Sequence, residues 1–411
     1  SVSSSFIPPE LRRGFGLPTY EYQDAVWAYY FYRMLSRASN VWLLYDSRTE
    51  GMKSGEESRY IKQLQYHFNI PLKRYEVSVA LSETTSPESV PKTASDVEFL
   101  KNIPYSASSI SEYLDCPAKF YYDKVKNLGK EEELAEELDA GLFGTVYHEM
   151  MQTLYHGEDA MKSGLPASEW ITVAGAGNRP REITREYLSS WLKREDEIRS
   201  KARSIIMRNL NAIEVTGKNL VTVDVIVRYV MKTLSADLEI LEHSPRGSIR
   251  MYGLEKRCVT DFLGFTLKGV VDRVDSVCEG EIRIVDYKTG LVEEKAVSLT
   301  ESDPAGVAKA VFDRAPSRKR PKIALQLYIY DKFMRQDQEL AGQAMKNCVY
   351  SVRSMFARLP ESYPVEESFI SEMDAGLESF FSELTDVSVP FRLTTDSYFC
   401  ENCDFKTICG R

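Results

Sequence analysis

Three polar side chains have the types and spacing for phosphodiester chemistry. Asp272 lies in Gly269-Val-Val-Asp272-Arg-Val-Asp-Ser-Val277, while Asp286 and Lys288 lie in Ile282-Arg-Ile-Val-Asp286-Tyr-Lys288-Thr-Gly290. A short turn through Cys278-Glu-Gly-Glu281 joins the two runs, so the pattern predicts an antiparallel hairpin. Residues two apart on a strand share a face, which sends Asp286 and Lys288 out together, with Asp272 converging from the neighbouring strand. Two carboxylates would hold a hard cation such as Mg²⁺ through oxygen. The metal would activate a water and neutralise the pentavalent transition state, and the lysine would position that water or meet the developing charge. The same spacing also fits a solvated surface hairpin with an incidental Asp286–Lys288 pair. The apolar flank Ile282–Val285 favours a buried strand, where a carboxylate and a lysine need a reason.

A second constellation closes the chain. Cys400, Cys403 and Cys409 stand at metal-ligand spacing, and Cys116, before Pro117 at the end of a predicted helix, is the natural fourth donor. Zinc and a 4Fe–4S cluster both use four thiolates, and spacing alone leaves zinc slightly ahead. Cys258, Cys278 and Cys348 read as core or turn thiols. Arg314, Arg318, Lys319, Arg320 and Lys322 form a basic loop, a candidate phosphate contact or simply a solvated loop.

The elements that must position these groups follow from pattern. The chain has 411 residues, which suggests two or three domains, and a net charge of −9 that gives bulk nucleic-acid binding no support. Seven cysteines, thinly spread until the C-terminus, argue against a secreted disulfide framework. No apolar run approaches a membrane span, nothing resembles a signal peptide, and the chain reads as a piece of a longer cytoplasmic protein. Helices are predicted over 20–37, 57–68, 106–126, 139–157 and 324–334, with a strand at Val41–Tyr45. A Ser/Thr/Pro-rich linker falls at 81–95, a charged helical insertion near 160–245, and strands between 250 and 288.

Gly-x-x-Asp272-Arg-x-Asp followed by Val-Asp286-Tyr-Lys288-Thr-Gly resembles the PD-(D/E)xK nuclease superfamily, specifically its AddB/RecB-type branch. Gly144-Thr-Val-Tyr-His148-Glu resembles the segment whose histidine ligates metal in that branch, although His148 by itself would more often be a structural histidine. Gln326-Leu-Tyr-Ile-Tyr330 resembles the helix that touches substrate phosphates. The resemblance implies Asp272, Asp286 and Lys288 as catalytic residues. It also implies Mg²⁺ (or Mn²⁺) held by His148, Asp272, Asp286 and the Tyr287 main-chain carbonyl. Substrate contacts would come from Gln326 and Tyr330, with the loop residues Arg318, Lys319 and Arg320 as further candidates. Ser106-Ala-Ser-Ser-Ile-Ser-Glu-Tyr-Leu-Asp-Cys116-Pro-Ala-Lys-Phe-Tyr is characteristic of the iron–sulfur members, so the resemblance favours a structural 4Fe–4S cluster on Cys116, Cys400, Cys403 and Cys409 over zinc. Glu255, in the strand before the motif, carries little weight as an auxiliary acid, and His67, His156 and His243 read as structural.

Tyr29–Tyr45, with Arg37, and Gly55–Ile61 resemble late motifs of superfamily 1 helicases. No phosphate-binding Gly-x₄-Gly-Lys-Ser/Thr loop exists, so no ATP site is expected. The implied fold is α/β: a restriction-endonuclease-like PD-(D/E)xK nuclease core with a helical insertion over 96–411, after an N-terminal remnant of a RecA-like helicase domain over 1–95. The implied function is a metal-dependent DNA exonuclease acting at DNA ends in double-strand break repair, with an AddA-like helicase–nuclease subunit as partner. The alternatives are a catalytically silent DNA-end-binding module and a CRISPR-adaptation-type iron–sulfur exonuclease.

Overall fold

The computed structural model describes residues 9–16, 20–45, 57–75, 89–129, 138–156, 181–290, 292, 303–340 and 342–411. It divides into two compact units, Ser1–Glu83 and Thr84–Arg411.

The first unit holds α1 (Pro9–Gly14), α2 (Tyr20–Leu35) and α3 (Arg59–Tyr66). The Ser58 hydroxyl caps α3 by accepting the Tyr60 N–H, and Phe31 of α2 stacks on Tyr60 with ring centroids 5.0 Å apart. The strand expected at Val41–Tyr45 is not formed: these residues are exposed and unpaired with any strand. Among the described residues this unit contains no strand, and the expected RecA-like remnant is not shown by them. Gly51 and Gly55 lie outside the described residues.

The expected linker differs too. Residues 81–88 lie outside the described residues, but Ser89–Val90 (β1) pairs with Phe391–Arg392, and Lys92 Nζ donates to the carbonyls of Glu383, Leu384 and Asp386. These contacts bind 89–92 into the second unit. There the chain continues through α4 (Ala94–Asn102), α5 (Ala107–Asp115), α6 (Pro117–Phe120) and a π-helical turn at Tyr121–Val125. The single helix predicted over 106–126 is thus broken at Cys116, whose extended backbone (φ −157°, ψ 96°) ends α5 and begins α6 ahead of Pro117. Next come α7 (Ala140–His156), β2 (Arg181–Thr184), α8 (Arg185–Leu192), α9 (Glu195–Asn209) and α10 (Lys218–His243). The helical insertion is therefore present, although 160–180 lie outside the described residues, and β2 is a strand that the charged pattern concealed.

The rest is β3 (Ser248–Phe262), β4 (Phe265–Ser276), β5 (Glu281–Lys288), α11 (Pro304–Phe312), α12 (Lys322–Arg335), β6 (Ala344–Ser351), α13 (Val352–Met355), β7 (Ser362–Pro364), α14 (Glu367–Leu384), β8 (Phe391–Arg392) and α15 (Tyr398–Glu401). A six-stranded sheet runs β2-β3-β4-β5-β6-β7, antiparallel except for the β5–β6 pair. Leu263 and Gly264, at φ 54° and 83°, make the two-residue turn between β3 and β4.

Helices cover both faces of the sheet, which is why Ile282–Tyr287 is buried without a break. Ile282 and Ile284 pack with α5, α11, α12 and α14, while Val285 and Tyr287 pack with α7 and the insertion. Alternation along β5 thereby fixes the face on which Asp286 and Lys288 emerge. Gly269 of the motif is needed for close approach: a Cβ there would stand 2.9 Å from Phe333 of α12.

Candidate active site

The hairpin brings the three motif residues together as predicted. Arg273 is opposite Val285 and Val274 opposite Ile284, and the same register carried one step further sets Asp272 beside Asp286. Asp272 Oδ2 accepts the Tyr287 N–H at 2.8 Å, which locks the carboxylate onto the β5 backbone. Lys288 Nζ donates to Asp286 Oδ1 at 3.0 Å and stands 2.9 Å from Oδ2, a buried oxygen with no aligned hydrogen bond of its own. The same amine donates to Gln326 Oε1 at 3.0 Å, and Gln326 Nε2 donates to the Tyr330 hydroxyl at 2.6 Å. Gln326 and Tyr330 thus reach the site from α12, where their visible work is to hold Lys288.

His148 arrives from α7 on the other side of the sheet. Its Nδ1 is 3.1 Å from Glu255 Oε1 and 3.7 Å from Asp272 Oδ1. Donor atoms of His148, Glu255 and Asp272 all lie within 4.8 Å of one another. Once deprotonated, the His148 imidazole would form with the Asp272 carboxylate and Asp286 Oδ2 an N/O donor set suited to a divalent cation. Glu255 is the residue that spacing undervalued, because it depends on a backbone turn that no pattern announces.

The electrostatics are those of carboxylates buried close to one another. Burial, and then the Asp286 charge, push the Asp272 carboxyl up to about 8. Burial also raises Asp286, against the pull of Lys288. Burial alone would lower His148, but the Glu255 hydrogen bond and the Asp272 charge carry it up to about 9. Each group binds its proton more tightly native than unfolded, so metal-free stability falls as pH rises. The Asp272 carboxyl acts from the unfolded value of 3.8 up to about 8 and the histidine from 6.5 to about 9, and Asp286, also raised, acts in the same direction. In EDTA the Tm is expected to drop between pH 5 and 9, and Asp272→Asn should flatten that drop. Mg²⁺ should restore most at the alkaline end, where its ligands are already deprotonated. A flat Tm in EDTA would contradict this account.

Behind the site lies a buried charge network. Arg273 Nη1 donates to Asp237 Oδ2 at 2.7 Å, its Nε donates to Asp275 Oδ2 at 2.5 Å, and Arg283 Nε donates to Asp275 Oδ1 at 2.7 Å. The Tyr155 and Tyr350 hydroxyls also donate to Asp237. Asp237 belongs to α10, so the insertion is pinned to the strand that carries Asp272. The available signal was a carboxylate in the apolar stripe Val230, Leu234, Asp237, Leu241.

The residues of the basic loop are placed differently from one another. Arg320 is buried, donating to Asp115 Oδ1 at 3.0 Å and to the carbonyls of Leu114, Val311, Asp313 and Ala315, so its guanidinium is fully occupied and out of a phosphate's reach. Arg318 pairs with Asp396 at 2.7 and 2.9 Å and lies over the Tyr398 ring, while Arg314 pairs with Glu383. Lys319 is exposed, and Lys322 donates to Asp115 at 2.6 Å. The loop latches α12 to the end of α5 and to the C-terminal segment.

The four cysteines of the second constellation are free thiols gathered in one region. Cys116 Sγ accepts the Lys119 N–H at 3.4 Å, and Arg411 Nη1 donates to Cys400 Sγ at 3.7 Å. Burial raises Cys116, and burial together with the other three sulfurs raises Cys409 to about 11. That mutual repulsion of thiolates is what a bound metal would relieve.

A cleft of about 920 Å³ leads to the site. It is lined by Ser106, Ser109, Lys124, Lys268, Asp272 and Gln326 among others.

The model of the PD-(D/E)XK nuclease superfamily matches residues 104–410, most of the second unit. No curated protein matches the chain.

Proposed function

The chain belongs to the PD-(D/E)XK nuclease superfamily, and on that premise we propose that it is a metal-dependent DNA exonuclease, the nuclease part of an AddB-like helicase–nuclease subunit. Family membership implies metal-dependent cleavage of nucleic acid. The observation that carries the reading is the convergence of Asp272, Asp286 and Lys288 with His148, Asp272 itself lining the cleft. A divalent metal, Mg²⁺ or Mn²⁺, held by Asp272, Asp286 and His148 with the Tyr287 carbonyl, would acidify a water and draw charge from the phosphate. The chain's own residues supply the rest. Lys288 presents its amine beside Asp286 for the developing charge, Gln326 and Tyr330 keep that amine in place, and the buried network beneath prevents the hairpin from shifting.

The finer reading rests on sequence resemblance. The segment around Cys116 and the three C-terminal cysteines support a 4Fe–4S cluster, the helicase-like motifs around Arg37 and Ser58 support an AddB-like subunit with an AddA-like partner, and free thiols throughout the described residues support a cytoplasmic setting. Repair of DNA double-strand breaks follows from that kinship. The test is cleavage of end-labelled linear DNA with and without Mg²⁺, with RNA of the same sequence beside it. Metal-dependent shortening of DNA from its ends is expected. An absence of cleavage with both Mg²⁺ and Mn²⁺ would overturn the proposal.

With Arg314, Arg318, Arg320 and Lys322 of the basic loop paired to carboxylates, Lys268 joins Lys319 as a candidate phosphate contact. It is exposed in the cleft and has no ion-pair partner among the described residues. On β4 it precedes Asp272 by four positions, roughly 13 Å along the strand and on the same face. Lys268→Ala should weaken DNA binding evenly across sequences and reduce the salt slope by about 0.7–0.9. Binding isotherms from low to moderate salt check this, and an unchanged slope would place the strand elsewhere.

A further inference from the structure

Glu255 occupies an unusual place in β3. Its backbone is left-handed (φ 48°), although the ladder to β4 continues on both sides of it, Leu254 opposite Arg273 and Lys256 opposite Val271. A side chain with a Cβ is strained there, and strain of this kind persists only where the surroundings over-determine it. The ladder's register sets Glu255 across from Asp272. From this position Oε1 reaches His148 Nδ1 at 3.1 Å. Both carboxylates face the same nitrogen, Nδ1 lying 3.1 Å from Glu255 of β3 and 3.7 Å from Asp272 of β4, and the ring stands edge-on to Tyr287 with centroids 5.8 Å apart.

We propose that Glu255 is a positioning residue of the metal centre: the left-handed turn in β3 aims its carboxylate at His148 and fixes the ring for metal binding. The proposal rests on the metal-dependent reading above. A carboxylate hydrogen-bonded to a histidine ligand fixes its tautomer and ring orientation, and loss of that partner weakens metal binding. The conformational penalty at residue 255 is then retained for the site, since a glycine would carry none of it.

The experiment uses the full chain with Mn²⁺ alone as probe, counted by electron paramagnetic resonance, and the Tm in EDTA as a second readout. Glu255→Gly should lower Mn²⁺ affinity about 10–100-fold while leaving the Tm unchanged or raised, because it removes strain and a carboxylate together. Glu255→Gln, which keeps the backbone and an oxygen acceptor, should lose less affinity than Glu255→Gly, and it decides the matter if the glycine variant folds poorly. Wild-type Mn²⁺ affinity in the variants, with or without a change in Tm, overturns the role of Glu255 alone. A wild-type chain that binds no Mn²⁺ overturns the metal-dependent reading and this one with it.

Discussion

Replacing Asp286 with asparagine is expected to reduce metal-dependent cleavage to background, and Lys288→Ala to cost about 10²–10³-fold in rate. The two losses have different origins. Asp286 offers a buried oxygen at the end of β5 that only Lys288 approaches, and an amide in its place keeps the shape while removing the charge that a cation needs. Lys288 leaves the metal ligands in place and removes the amine that Asp286 and Gln326 hold. Folding should survive both changes. Asp286→Asn should in fact raise the metal-free Tm above neutral pH, because the raised native pKa of Asp286 marks a charge that destabilises the native state there. Single-turnover rates at saturating Mg²⁺ check the catalytic losses. Wild-type rates in both variants would mean that the hairpin's polar end is not the reacting centre.

The hairpin was legible because three independent signals agree on it: alternation, a glycine-containing turn, and polar groups at the end of an apolar run. The helix carrying Gln326 and Tyr330 was legible from its period, and so was the insertion. What escaped was whatever depends on long-range partners. Val41–Tyr45 has the composition of a strand, but a strand needs a neighbour, and none of the described residues of its unit supplies one. The loop around Arg320 looks like a phosphate site because a run of cations shows neither burial nor acceptors; Asp115, far away in sequence, takes up two of its side chains. Glu255 was undervalued for the converse reason. Its place beside His148 depends on a backbone angle and on a distant helix, and neither leaves a trace in local spacing.

Removing Cys116 is expected to have the second-largest effect, and on order more than on global stability. Protein prepared without oxygen should be brown, with iron and sulfide in equal amounts, and Cys116→Ser should lose both. The last described strand, β8, pairs with β1, and Phe391 is buried, so the chain as far as about residue 394 is held by its own contacts. Beyond it the tail relies on Phe405 packing near Tyr122, on Arg411 donating to the Thr394 carbonyl, on Arg318 with Asp396, and on the thiols. A chain terminus frays when a cross-link that ties it down goes. Limited proteolysis should therefore nick Cys116→Ser beyond residue 395 at least tenfold faster than the parent, with a modest change in Tm. The effect should also travel inward. Asp115, next to Cys116, binds Arg320 and Lys322 at the start of α12, and α12 carries the Gln326 that holds Lys288. Partial loss of cleavage is expected with the tail loosened, to a smaller extent than in Lys288→Ala. Stoichiometric zinc without iron in anaerobic protein would replace the cluster by a zinc site on the same four thiols. A tail that stays protected in Cys116→Ser would show that the protein contacts alone suffice and that the cysteines do not clamp it.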